Sequence, residues 1–178
     1  MAALPTPWCR GGPPCFTPAA GTIDLTSNKL SGVDNGGKGT HNMKAVSALF
    51  EAIKKASSLA EVDLSFNNLA GEFGPISAFN TKNCNVSSRS GDPKNILVGD
   101  RANYEGRALT VTGSTANGDD FKIMVSDLSV VKLIGEAICG NDKLTSFIMS
   151  NNGLGPDGKR DLGKMIKQRE ADGLTAKY

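Results

Sequence analysis

The sequence predicts an α/β fold: a short solenoid of stacked strand–helix units, parallel strands on its concave face and helices on its convex face, broken by one large insertion. Three observations predict it. An amphipathic helical segment recurs, a strand-and-asparagine pattern follows each copy, and the stretch between the copies lacks both. Glycine, at 21 of 178 residues, supplies the tight turns such a chain needs.

The first element is an arm. Residues 1–19 hold five of the eight prolines, which favour an extended arm with Trp8 and Phe16 as its candidate anchors. The repeat domain then spans residues 20–178. Its clearest helix is Asn42 to Leu59, which aligns without gaps on Asp127 to Leu144. Val46, Leu49, Phe50 and Ile53 fall at i, i+3, i+4 and i+7, one face of a helix. Val131, Ile134 and Ile138 repeat that face, and Leu162, Met165 and Ile166 give a shorter third version.

The strands come next. Leu59-x-x-Val62-x-Leu64-x-x-Asn67-x-Leu69 matches Leu144-x-x-Phe147-x-Met149-x-x-Asn152-x-Leu154, and an earlier copy runs through Ile23, Leu25, Asn28 and Leu30. Alternation at Ile23 and Leu25, Val62 and Leu64, and Phe147 and Met149 reads as a short strand with one buried face. Asn28, Asn67 and Asn152 share one offset, where an amide side chain can satisfy backbone groups leaving the ladder. On these residues the chain resembles the leucine-rich repeat family, and within it the ribonuclease-inhibitor-like subfamily. The resemblance covers residues 20–70 and 126–178 and implies the solenoid, with a stacked core shared between units.

The spacing departs from that family. The asparagines stand 39 and then 85 residues apart, against about 28 in the subfamily. We therefore place an insertion at about residues 73–122. It opens as a polar loop and then offers strand-like runs at Asn95–Val98, Ala108–Thr112 and Phe121–Val125, the last two framing a β-hairpin. The closing segment, MIKQREADGLTAKY, reads as a last helix, a Gly173 turn and a terminal strand.

Composition narrows the function. Twenty basic against 18 acidic residues leave a formal net charge of +2, which argues against a broad basic face for nucleic acid. No run approaches the ~18 apolar residues of a membrane span. Prolines break the N-terminal stretch, so no secretory signal is read there. A soluble protein is expected, cytoplasmic or otherwise intracellular. Four cysteines make no disulfide scaffold, although Cys9 and Cys15 are near enough in sequence to pair. With one histidine, His41, and no ligand spacing, neither a metal nor a cofactor is expected.

One motif carries rival chemistry. Gly32-Val33-Asp34-Asn35-Gly36-Gly37-Lys38-Gly39-Thr40 satisfies the phosphate-loop pattern, in which Lys38 would reach phosphate and Thr40 magnesium. The plain alternative is a lengthened repeat loop. The predicted strand ends well before Gly32, with the asparagine turn between them. Small-GTPase regulation is a further alternative, resting only on what some members of the resembled subfamily do.

The expected function is therefore non-catalytic: protein binding, or a structural role in a multi-subunit assembly, through the concave face and the insertion. Residues beside the buried strand positions point outward. These are Thr22, Asp24 and Thr26, then Glu61, Asp63 and Ser65, then Ser146, Ile148 and Ser150. The face should run from acidic to apolar and suit a partner with a basic patch beside an apolar anchor.

Overall fold

The computed structural model describes residues 21–34, 38–78, 84–89, 95–104, 106–117 and 120–178. The arm at 1–19, with Cys9 and Cys15, lies outside them.

A four-stranded parallel sheet is assembled from β1 (Gly21–Asp24), β2 (Leu59–Asp63), β8 (Ser146–Ile148) and β9 (Thr175–Lys177), in that spatial order. Three helices cover one of its faces. α1 (Met43–Lys55) starts where the Asn42 side chain accepts the amide of Ala45 at 3.1 Å, and Lys54 and Lys55 close its last turn, where the helix dipole favours cations. Its buried residues Val46, Phe50 and Ile53 form the expected stripe. α2 (Val130–Gly140) buries Val131, Ile134 and Ile138, and α3 (Gly155–Ala171) buries Leu162 and Ile166. Met165 departs from the stripe. It is 40% exposed, and its side chain lies over Gly135, where a Cβ would collide with it.

These helices and the inward residues Val62 and Phe147 share one apolar core. Ile23 occupies the same inward register but is 42% exposed. It lies on the edge strand β1, and among the described residues no strand pairs with the other side of β1.

Between β2 and β8 the chain builds a second sheet. Its strands are β3 (Phe73–Ser77), β4 (Cys84–Ser87), β5 (Arg101–Tyr104), β6 (Arg107–Asn117) and β7 (Asp120–Ser126). They run antiparallel in the order β3-β7-β6-β5-β4 and curl into a half-barrel. The sheet has its own core, including Phe73, Cys84, Leu109, Val111, Ile123 and Val125.

The expected solenoid is thereby overturned. Among the described residues the fold is α/β with three helices and two sheets, and the parallel sheet has four strands. Where a solenoid would add further strand–helix units, residues 73–126 form five antiparallel strands that bury apolar residues among themselves. That segment is half of the architecture rather than a decoration on a repeat array. The β6–β7 pair contains the runs at Ala108–Thr112 and Phe121–Val125, whereas the run at Asn95–Val98 is not a strand. There Ile96 is buried, and its carbonyl accepts the Ser114 hydroxyl at 3.2 Å.

Candidate functional site

The three asparagines hold the turns at the C-terminal ends of the parallel strands. Asn67 donates from Nδ2 to the carbonyls of Leu25, Leu64 and Ser65, while its Oδ1 accepts the amides of Asn28 and Leu30. Asn152 repeats this one unit on. It donates to Leu64, Met149 and Ser150 and accepts from Asn67 and Leu69. Each side chain thus serves its own turn and the preceding one. The Asn28 side chain differs, being exposed and donating to the Thr26 carbonyl, because no described unit precedes it.

The sheet face opposite the helices carries the residues chosen from the sequence, in two rows set by strand register. One row is Thr22, Glu61, Ser146 and Thr175; the other is Asp24, Asp63, Ile148 and Lys177. The Thr22 hydroxyl donates to Glu61 across the first row at 3.1 Å. Strand pairing puts Asp24 and Asp63 side by side, about 4.8 Å apart along the ladder.

Both carboxylates also close turns. Asp24 accepts the amide of Thr26 at 2.9 Å and Asp63 that of Ser65 at 2.8 Å. Such Asx turns release the chain from the strand. Hydrogen bonds from the Thr26 hydroxyl and amide hold the Asp24 carboxyl below its ordinary value.

Three of the chosen residues sit differently from their neighbours. Ser65 is buried, and its hydroxyl oxygen accepts the amide of Ser150 at 3.2 Å, so it is a joint between units and not a contact. Thr26 and Ser150 lie beyond the strand ends and are partly covered. Thr175 and Lys177 were missed. The terminal strand was legible, but its place beside β8 is a tertiary fact, and it makes the row end in a cation.

Where the turns meet the second sheet there is a cleft of about 490 Å³. Phe66, Met149, Leu154 and Tyr178 line it from the parallel layer, Gly74 and Met124 from the antiparallel one, and Glu72 and Lys159 supply charge. Glu72 accepts the Thr112 hydroxyl at 3.1 Å. Burial, aided by the nearby Glu170 carboxylate, pushes the Tyr178 phenol up, so it stays a neutral hydroxyl. No sequence signal marked this cleft, because its walls come from turns far apart in the chain.

The phosphate-loop pattern lies in a different setting from the one the motif needs. Val33 and Gly39 form an antiparallel bridge, and the amides of Asp34 and Lys38 bond to the Lys38 carbonyl and the Asp34 carboxylate. A Cβ on Gly39 would overlap the Gly32 carbonyl oxygen, and one on Gly32 the Thr40 carbonyl oxygen. The helix begins only at Met43, its first turn capped by Asn42. Asn35, Gly36 and Gly37 lie outside the described residues. His41 donates from Nε2 to the Leu69 carbonyl, 3.0 Å away, and packs against Gly71.

Cys84 is buried, and burial pushes its thiol up. Cys139 is exposed. Among the described residues no cluster of three or more His, Cys, Asp or Glu could hold a metal ion, and no helix is long and apolar enough to cross a membrane.

No family model matches the chain, and no curated protein or solved structure matches it significantly.

Proposed function

We propose that the chain is a non-catalytic protein-binding module, or a structural subunit of a larger assembly, docking through the open face of its parallel sheet. The observation that carries this reading is the row Asp24, Asp63, Ile148, Lys177, which sets two carboxylates, an apolar side chain and an ammonium in line on adjacent strands. Spacing of one strand per group presents a fixed charge pattern, and such patterns select partners and set register. The Asp24 carboxyl, held below its usual range, stays ionised near neutral pH. That suits charge complementarity better than proton transfer.

The partner surface that fits offers basic, apolar and acidic groups in that order. Because both carboxylates close turns, the test uses Asp24→Asn with Asp63→Asn, which keeps an oxygen acceptor for each amide while removing the charge. Native-extract proteins captured by the wild type are identified by mass spectrometry. Their retention should fall in this variant and in Lys177→Glu, and fall further with salt for the wild type than for the variants. Capture unchanged in both variants rejects the open face as the docking surface.

A further inference from the structure

We infer that the cleft between the two sheets is an anchor site for an extended peptide segment of a partner, taking one apolar side chain against Phe66 and an adjacent carboxylate at Lys159. This deepens the protein-binding reading and rests on it.

The argument starts from one turn built three times. Ser27, Phe66 and Asn151 each precede a turn asparagine, and all three adopt the left-handed conformation, with φ of 61°, 59° and 59°. Asparagine and small polar residues tolerate that region; a bulky aromatic there is an outlier. The turn itself has no need of a ring, since serine and asparagine make the same shape in the neighbouring units. Nor is the ring filling a core, for Phe66 is 43% exposed and lines the cleft. A side chain held against its backbone preference and left half in water points to a role outside the fold. The rest of the cleft fits that role, with Met124, Met149, Leu154 and Tyr178 giving an apolar wall and floor. Methionines adapt to varied apolar shapes.

Charge selects the occupant. On α3, Arg160 is paired with Asp157 and Asp161, and Lys164 with Asp161. Lys159, exposed on the same helix and lining the cleft, has no carboxylate partner among the described residues. An acidic residue beside the apolar anchor supplies one. The volume of about 490 Å³ takes an anchor side chain with part of its backbone, and Glu72 lies within reach as an acceptor for peptide amides.

The experiment is selection of a random dodecapeptide phage library on the wild-type protein, then titration of the recovered peptides by fluorescence polarisation. Peptides with an aromatic or branched aliphatic residue next to Asp or Glu are the expected product. Phe66→Asn should weaken them by about tenfold or more, the scale of a central aromatic contact. Its melting temperature should hold or rise, because asparagine already occupies the matching turn position at 151. Lys159→Glu should weaken them and reduce their salt sensitivity.

Recovery of no peptide, of peptides without that pairing, or of peptides that bind both variants as they bind the wild type overturns the assignment. The pair Asp24→Asn and Asp63→Asn separates the two readings. If it leaves peptide affinity intact and abolishes partner capture, both stand. If capture survives it while Phe66→Asn still loses the peptide, the cleft stands and the open face falls.

Discussion

The backbone amide of Asn67 donates to Oδ1 of Asn152 at 3.2 Å, across 85 positions of chain. Everything in the antiparallel sheet lies between these two residues. Asn152 also accepts the amide of Leu69 and donates to the carbonyl of Leu64, so one amide side chain stitches the departure of the chain from β2 to its return after β8. Both asparagines are buried, and no buried side-chain nitrogen or oxygen among the described residues lacks a partner.

Replacing Asn152 with alanine strands several buried backbone groups at once. We expect a loss of about 3 kcal/mol in urea denaturation. Asn28→Ala, at the exposed edge, should cost under about 1 kcal/mol. Similar losses at the two sites would show that the cross-strand bonds carry little of the stability.

Asp100 makes stability depend on acid. Burial works to raise its carboxyl, but amide donors from Leu97 and Arg89 and the Arg89 guanidinium outweigh it and hold the group below the usual carboxylate range. The folded state therefore binds this proton more weakly than the unfolded chain does. The contribution is complete above about pH 4, the unfolded value, and is lost as pH falls through the lower folded one. Asp100→Asn should destabilise by about 2–3 kcal/mol near neutral pH and flatten the fall in melting temperature between pH 5 and the acid limit. An unaltered acid profile would remove Asp100 from this role.

The glycine-rich loop separates shape from chemistry. Gly39 sits at φ 124° with the Gly32 carbonyl where its Cβ would go, so Gly39→Ala should cost about 2 kcal/mol or more. Lys38 is exposed, and Lys38→Ala should stay within about 0.5 kcal/mol of wild type. Thermal melts with magnesium-ATP complete the comparison. A rise in the melting temperature of the wild type that Lys38→Ala abolishes would restore the phosphate-loop alternative.

Asp63 tests how much the Asx turn contributes by itself. Asp63→Asn keeps the acceptor for the Ser65 amide and should change stability by less than about 0.5 kcal/mol, while Asp63→Ala loses it and should cost about 1 kcal/mol. Equal behaviour of the two in chemical denaturation would mean that the turn acceptor contributes nothing to stability.

The chain alone determined the helix stripes of Val46, Phe50 and Ile53 and of Val131, Ile134 and Ile138, because a 3.6-residue period is a local property. It also determined the turn asparagines at 67 and 152, since their offset from the strand residues repeats. It did not disclose β3, β4 and β5. Cys84 is the one fully buried residue of β4, whose remaining side chains face water or lie only partly covered, so its composition reads as a loop until β5 pairs with it. The size of the antiparallel sheet, and with it the fold class, thus depended on pairings between segments without periodic signal. The same holds for the candidate site. Asp24 and Asp63 were legible from their shared register within the repeat, whereas Lys177 joined the row only when β9 paired with β8. Phe66 became notable only through its positive φ and its exposure. Local pattern fixes which face of an element is apolar; which faces and turns then meet is decided by long-range packing, and the cleft at Phe66 exists only where two sheets from distant chain segments come together.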